Sequence, residues 1–297
     1  MTVGDYDVHL PASVIVVSYN KRLYTQLCLT SMLRADPHPE QIVVVDNGSQ
    51  DGTVELLEGE VADAASGAGV ALELIRNETN AGACTARNQG LQIATGEYIA
   101  FMDNDVAVRS RRWLAELRDV LEEHPGHGIV GPKLVFPFEP YNIQHAGAAI
   151  SRTGRVKYLG RGEPRSAPEH NHRRQVQCLI SACWLMRAAV PEQIGDLDEV
   201  FNPAQFEDFD FCYRAREAGW TVLYEPSAEM YHYESVTTDG SPDVNYKYIT
   251  IRNGMEFKRR WRHMFETEDG PPDSECRWAP LETRPIEQTG VPPIVDD

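Results

Sequence analysis

The sequence predicts an α/β fold built on a mixed, mainly parallel central sheet with helices on both faces. Three observations support this. Short apolar runs alternate with segments of helical periodicity through the first hundred residues. The runs at 14–17 and 42–45 are unbroken and rich in β-branched residues, which is typical of parallel strands covered on both faces. The resulting order β-α-β-α-β-α-β requires right-handed crossovers between parallel strands.

Polar residues follow each of the four predicted strands. The strands are expected at 14–17, 42–45, 70–75 and 98–102. The polar residues are Ser18, Tyr19 and Asn20 after the first strand, Asp46 after the second, Asn80 and Arg87 beyond the third, and Asp103, Asn104 and Asp105 after the fourth. Open α/β sheets bind ligands at this edge. We also expect Asn20 to cap the first helix.

The segment Asp103-Asn104-Asp105 allows two interpretations. Side chains two apart on an extended chain point the same way, so both carboxylates can converge on one divalent cation that carries a diphosphate. Asp and Asn are equally common in turns and at helix starts. The segment alone does not separate a metal site from a turn.

The second half predicts a different arrangement of elements. A helix is expected at 113–121, short antiparallel strands and loops at 131–156, and a mobile surface loop at 161–174. We expect His170 and His172 in that loop to be solvated rather than a metal pair.

A second helix is expected around Phe209, with Glu207 and Asp208 in its first turn, where acids are also ordinary capping residues. Strand residues are expected at 221–224 and 229–232, and a basic final helix at 245–265. The tail from Glu266 has nine acids, two bases and six prolines, which favours a segment that wraps the surface or is disordered.

Composition excludes several classes of protein. The chain has 297 residues and a net charge of -17, which argues against nucleic-acid binding because phosphate contacts need Lys and Arg. Six scattered cysteines without CxxC pairs fit a reducing cytosol. No signal peptide and no membrane span of roughly 18 apolar residues is apparent, so we expect a cytoplasmic protein with at most peripheral membrane contact. Neither a P-loop nor a GxGxxG motif follows the first strand.

Five stretches together resemble family 2 glycosyltransferases, which are inverting enzymes of the GT-A fold. They are "VIVVSYN", "VVVDNGSQDGT", "NAGACTARNQGL…GEYIAFMDNDV", "EDFDFCYRAREAGW" and "EMYHYES", in the family's order between about residues 12 and 261. The "IQHAG" segment is most similar to bacterial rhamnosyl- or galactosyltransferases of cell-surface polysaccharides. The resemblance implies a nucleotide-sugar-binding half at 1–108, an acceptor-binding and catalytic half at 109–265, and a separate tail at 266–297.

The resemblance also implies a role for each site residue. Nucleotide contacts are expected from Ser18, Tyr19, Asn20, Asp46, Asn80, Arg87, Asp103, Asn104 and Arg252, with Asp46 on a uracil or thymine ring and Arg252 on the diphosphate. Asp105 and His232, with Asp103, are expected to bind Mn²⁺ or Mg²⁺. Asp208 matches the catalytic base, with Glu207 beside it, and the helix dipole is expected to keep Asp208 ionised.

These roles imply metal-assisted transfer from a UDP- or dTDP-sugar to a saccharide or lipid-linked saccharide hydroxyl. Two alternatives are a sugar-1-phosphate nucleotidylyltransferase and a non-catalytic nucleotide-sugar-binding protein. The first needs a glycine-rich, arginine-bearing loop after the first strand, which "SYNKRLYTQL" does not supply. The second would not need both the acid triplet and the Glu207-Asp208 pair. The oligomeric state is not predicted.

Overall fold

The computed structural model describes residues 9–234, 236, 245–278 and 280–296. Two parts of the sequence considered above lie outside the described residues. They are residues 1–8, where a signal peptide was not expected, and Ser235, the last residue of the "EMYHYES" stretch.

The described elements alternate along the chain much as predicted. The strands are β1 His9–Ser18, β2 His38–Asp46, β3 Ala71–Arg76, β4 Tyr98–Asp103, β5 Val106–Val108, β6 His127–Val135, β7 Ile143–His145, β8 Ala148–Ile150, β9 Val156–Tyr158, β10 Arg174–Gln175, β11 Cys183–Arg187 and β12 Thr221–His232. The helices are α1 Arg22–Met32, α2 Thr53–Leu56, α3 Ala62–Gly67, α4 Ala83–Leu91, α5 Trp113–Glu122, α6 Ala189–Ile194, α7 Glu207–Glu217, α8 Tyr246–Phe265 and α9 Ile286–Thr289.

One mixed sheet unites the two halves of the chain. Its order is β10-β12-β6-β11-β4-β1-β2-β3, with β5 paired to β12 and β7 to β6. The strands β4, β1, β2 and β3 pair in parallel, which confirms the prediction for the first half. β11 then joins β4 to β6 with antiparallel pairing, and β12 lies parallel to β6. The sheet therefore continues without interruption across residue 108.

The apolar strand runs form the centre of the core. Val14, Ile15 and Val16 of β1 are fully buried, and so are Ile42 to Val45 of β2. Helix α4 packs against β1 and β2, and α5 packs against β6 and β12. The runs 14–17 and 42–45 are apolar at every position rather than at alternate ones, because both faces of the sheet are covered.

Asn20 does not cap α1, contrary to the prediction. The residue before the helix is Lys21, which has a left-handed backbone and whose side chain makes no capping hydrogen bond. The Asn20 side-chain oxygen instead accepts a hydrogen bond from the backbone N–H of Gln50, at 2.8 Å. The backbone N–H of Asn20 donates to Ser49 Oγ at 2.7 Å. Asn20 therefore ties together the loops that follow β1 and β2.

The second half departs from the prediction in the strands around β6. β6 has nine residues and pairs in parallel with β12, whereas short antiparallel strands were expected; β7, β8 and β9 are short and antiparallel. The two predicted segments around Pro226 form the single strand β12. A register shift between Glu225 and Glu229 accommodates the proline, which cannot donate to the ladder.

His170 is buried, so the prediction that it is solvated is wrong. Arg174 Nη2 donates to its Nδ1 at 3.1 Å, which leaves the Nε2 proton to donate to Glu163 Oε2, also at 3.1 Å. Both ring nitrogens are therefore engaged in hydrogen bonds. His172 is exposed, as expected.

The tail wraps the surface, which is one of the two alternatives left open. The N–H of Ile286 donates to the hydroxyl of Tyr24 at 3.1 Å. Val295 forms a bridge to Ser110 beside α5. These contacts tie the tail to α1 and to the segment before α5, which lie far away in sequence.

The close approach of Gly96 to β1 gives a test of the fold. A Cβ at residue 96 would lie 2.5 Å from the backbone nitrogen of Ser13, which cannot move without disturbing the sheet. We predict that Gly96→Ala lowers the free energy of unfolding by about 1–3 kcal/mol, measured by urea titration. Gly67→Ala is the control, because nothing lies within 4 Å of its added Cβ. Equal midpoints for the two variants would contradict this packing.

Candidate active site

A cavity of about 1770 Å³ lies along the sheet edge where β1, β4 and β12 end. Its wall includes Val17, Asp103 and His232 from those strands and Asp208 from the first turn of α7. Both halves of the chain contribute. This is the edge of the sheet at which the sequence predicted a ligand.

Three predicted metal ligands meet in this cavity. Asp103, Asp105 and His232 each offer one ligand atom, and these atoms lie within 4.8 Å of one another. Asp105 follows β4, and His232 ends β12, where it pairs with Val106 of β5. Pairing of β5 with β12 thus brings His232 to Asp105, with 3.4 Å between Nε2 and Oδ1.

The His232 ring is oriented by a hydrogen bond that favours metal binding. Its Nδ1 lies 3.0 Å from Gln144 Oε1, an acceptor only, so Nδ1 carries a proton and Nε2 faces the carboxylates. Burial raises the pKa of the Asp105 carboxyl, but the neighbouring His232 imidazole outweighs burial and holds that pKa below its usual value. Two carboxylates and one imidazole form a donor set suited to Mn²⁺ or Mg²⁺, so the residues fit such an ion.

Asn104 holds the middle of the triplet in place. Its side-chain nitrogen donates to Thr25 Oγ1 at 2.9 Å, and Asn104 is buried. Thr25 Oγ1 also lies 3.0 Å from Ser18 Oγ. The triplet is therefore attached to α1 and β1. Asn104 and Asp105 form the turn between β4 and β5, and both aspartates belong to the metal-capable group, so the turn and metal-site interpretations are compatible.

Arg87 lies between the two groups of acids. Its Nη2 is 2.6 Å from Asp103 Oδ1, and its Nη1 is 3.0 Å from Glu207 Oε1. The side chains of Arg87 and Glu207 are only 5% and 6% exposed. Burial lowers the pKa of Arg87, but the two carboxylates outweigh this and raise it above its usual value. Arg87 therefore joins the metal-capable cluster to the first turn of α7.

Asp208 has the more accessible carboxylate of the acid pair. It lines the cavity, accepts a 3.3 Å hydrogen bond from the N–H of Ser181, and has no ion pair among the described residues. Burial and the adjacent Glu207 raise the pKa of Asp208 to about 8. The expectation that the helix dipole keeps it ionised is therefore wrong near neutral pH.

The predicted nucleotide contacts fall into two groups. Tyr19, Asn20 and Asn80 line the cavity, together with Arg87, Asp103 and Asn104. Ser18 and Asp46 are buried and do not line it. Asp46 Oδ1 accepts from the N–H groups of Gly48 and Ser49, at 3.1 and 2.9 Å. Its Oδ2 is buried and has no hydrogen-bond partner among the described residues.

Arg252 lies outside the cavity, contrary to its predicted place beside the diphosphate. Its Nη2 donates to the carbonyl oxygen of Asn202 at 2.6 Å. Gly254 and Lys258 of the same helix line the cavity. Arg252 is two residues before Gly254, so its side chain points about 200° around the helix axis from the direction of Gly254, away from the cavity. Lys258 is thus the basic residue of α8 on the cavity wall.

Sequence reasoning missed several residues of the site. Gln144 was quoted only within "IQHAG", although a glutamine in an apolar strand next to a histidine is a signal for a buried polar contact. Tyr158, Arg161 and Trp278 also line the cavity. No local pattern indicates these three, because their contacts join distant segments.

No helix in the described part of the chain is both long enough and apolar enough to cross a membrane.

Comparison with known proteins places these features in a family. The family model described as Glycosyl transferase family 2 matches residues 13–195, more than half of the chain. The pre-mycofactocin glycosyltransferase of Mycobacterium tuberculosis is 32% identical over 65% of this chain and 37% of its own length. The N-acetylglucosaminyl-diphospho-decaprenol L-rhamnosyltransferase of the same organism is 27% identical over 77% of this chain and 78% of its own.

The chain spans only 24% to 37% of the length of the first curated relatives. Among solved structures, GalNAc-T7 with UDP, GalNAc and Mn²⁺ matches with a TM-score of 0.61 and 18% identity, over 74% of this chain and 42% of that one. This likeness confirms the predicted GT-A fold.

The buried Arg87 bridge gives a stability prediction. Arg87→Ala leaves the buried Glu207 carboxylate without its cation, so we expect the free energy of unfolding to fall by about 3–5 kcal/mol. The control is Arg76→Ala, which breaks a surface pair with Glu58 whose side chains are 59% and 54% exposed. That change should cost less than about 0.5 kcal/mol. Similar urea midpoints for both variants would show that the bridge contributes little.

Proposed function

The chain belongs to glycosyl transferase family 2, and from that premise we propose that it is an inverting glycosyltransferase. Its donor is a UDP- or dTDP-sugar, and its acceptor is a hydroxyl of a saccharide or lipid-linked saccharide. Residues 1–108 serve as the nucleotide-sugar half and residues 109–265 as the acceptor half. Six buried, free cysteines suit a reducing cytoplasmic setting.

The observation that carries the proposal is one cavity with acids of two kinds. The cluster of Asp103, Asp105 and His232 suits a cation, whereas Asp208 has no cation partner among the described residues. Glycosyl transfer needs both: a group that stabilises the departing diphosphate, and a base for the incoming hydroxyl.

Asp105 and His232 would hold the ion, with Asp103 as a third ligand or a ribose contact. Mn²⁺ or Mg²⁺ bound there supplies Lewis-acid stabilisation of the diphosphate. The imidazole favours Mn²⁺ modestly, and the Mn²⁺ with UDP in the GalNAc-T7 structure supports this choice. Asp103 shares its carboxylate with Arg87, so Asp105 is the stronger ligand.

Asp46 is our proposed contact for the nucleotide base. Its unpartnered Oδ2 is an acceptor, and the imide N–H of uracil or thymine is a matching donor. The remaining nucleotide contacts come from residues 18–20, Asn80 and Asn104, partly through the backbone. Lys258 replaces Arg252 as our candidate for a cationic contact from α8, since it lines the cavity.

Asp208 is the proposed base. The oxygen of the acceptor hydroxyl forms a bond to the anomeric carbon of the donor sugar. As this bond forms, the proton of the hydroxyl moves to the Asp208 carboxylate. The bond between that carbon and the diphosphate breaks, and its electron pair leaves with the nucleoside diphosphate. A single displacement of this kind inverts the anomeric configuration. Glu207 pairs with Arg87 and is a positioning residue.

Asp208→Asn tests the base. A positioned base contributes about 10² to 10⁴ in rate, so we predict that kcat for transfer falls by that factor. Binding of UDP with Mn²⁺, measured by calorimetry, should remain. Asp119→Asn, a change at an exposed acid of α5, is the matched control.

The same assay separates the alternatives. A non-catalytic binder would bind UDP-sugars and form no product in the wild type. A nucleotidylyltransferase would consume a sugar 1-phosphate and a nucleoside triphosphate. Near-normal turnover by Asp208→Asn would refute the proposed base.

Asp105→Ala tests the metal site. We expect the variant to bind UDP more weakly than the wild type in Mn²⁺ and about equally in EDTA, because Asp105 would act through the ion. Asp119→Ala is the control, since the Asp119 side chain is 62% exposed and does not line the cavity. Wild-type transfer at full rate in EDTA would contradict metal assistance.

A further inference from the structure

We propose that Trp278, in the C-terminal tail, is the stacking platform for a pyranose ring of the acceptor. The inference rests on the proposed function and assigns a saccharide-binding role to a segment that the sequence predicted to wrap the surface or to be disordered. Trp278 lines the same cavity as Asp208 and is 62% exposed. Trp113, Trp184 and Trp261 are buried.

The indole is held in place by neighbouring side chains. The Arg161 guanidinium lies over the ring, 4.0 Å from its centroid. Arg161 is itself fixed by a bidentate ion pair with Glu234, at 2.9 and 3.0 Å, and both of these side chains are nearly buried. Arg161 thereby covers part of the indole and leaves the exposed part for a ligand. An exposed tryptophan held this firmly is preorganised for binding.

Tyr158 connects the indole to the catalytic helix. Its ring meets Trp278 edge to face, with centroids 5.5 Å apart at 83°. Tyr158 also meets Phe209 at 6.4 Å and 89°. Phe209 directly follows Asp208 in α7. Edge-to-face contacts of this geometry are favourable, so the platform and the proposed base are linked by two successive ring contacts.

The tail before Trp278 is clamped to the loop between β8 and β9 and to β9. The Asp273 carboxylate accepts hydrogen bonds from Ser151 and Thr153, at 2.6 and 2.7 Å. Lys157 of β9 pairs with Glu275 at 2.6 Å. Cys276 is buried against this surface. The contacts fix the chain immediately before Trp278, and the tail thus completes one wall of the cavity.

A pyranose matches the chemistry of this wall. The axial C–H bonds of a sugar form an apolar face that packs on the negative face of an aromatic ring. Its hydroxyl groups need donors and acceptors around the ring, and Glu163, Arg277 and Lys157 also line the cavity. Apolar platforms with a few convergent polar groups are typical of small-ligand sites. Because the rings of Tyr158 and Phe209 connect Trp278 to the helix turn that carries Asp208, the bound sugar is assigned to the acceptor.

Saturation-transfer difference NMR tests the platform directly. The full chain is given UDP and Mg²⁺, and the probes are methyl pyranosides of glucose, galactose, N-acetylglucosamine, mannose and rhamnose. We expect ring-proton saturation of at least one probe in the wild type. The signal should fall about tenfold in Trp278→Ala, as for truncation of a central aromatic contact. It should be largely retained in Trp278→Phe, which keeps an aromatic face.

Val291→Ala is the matched control, because Val291 is 68% exposed in the same tail and does not line the cavity. Calorimetric UDP binding shows whether each variant is folded. Saturation in Trp278→Ala equal to the wild type would overturn the inference. So would an absence of saturation by every probe while UDP binds normally. Failure of the wild type to bind UDP or dTDP with either metal would overturn the proposed function and, with it, the inference.

Discussion

The rest of the site depends on the buried guanidinium of Arg87, which pairs with Asp103 on one side and Glu207 on the other. Burying these charges is costly unless they are paired, and Arg87 satisfies two carboxylates at once. The bridge joins the end of β4 to the start of α7. It also separates the roles of Glu207 and Asp208, because Glu207 is neutralised by Arg87 whereas Asp208 is left to titrate.

The sheet explains how distant parts of the sequence reach one cavity. β11 and β6 extend the parallel strands of the first half to β12, which carries His232 to the acids after β4. The tail contacts the β8–β9 hairpin through the ion pair of Glu275 with Lys157 and brings Trp278 to the wall of the same cavity. The chain from β1 to the tail thus contributes to a single site, in which we propose the donor side at β4 and the acceptor side between α7 and the tail.

The sequence was informative where local physics decides the structure. Apolar runs such as 42–45 have to be buried, and acids directly after strand β4 have to lie at the sheet edge. It was less informative where a residue depends on its neighbours in space. The Asn20 side chain accepts a hydrogen bond from a loop instead of capping α1. Arg252 lies on the side of α8 that faces away from the cavity. The pKa of Asp208 is raised by burial and by the adjacent Glu207. Trp278 gave no local signal, because its partners Arg161 and Tyr158 are more than a hundred residues away.

The central claim is that Asp208, left unpaired by the Arg87 bridge, accepts the acceptor's proton. The most direct test is the pH dependence of kcat/KM for the donor at saturating metal, because this ratio reports the pKa values of the free enzyme, whereas kcat reports those of the substrate complex. A carboxylic acid protonated below its pKa cannot accept a proton, so kcat/KM should fall about tenfold per pH unit below about pH 8. UDP binding should persist over the same range. A kcat/KM that stays constant from about pH 9 down to about pH 6 would contradict the account.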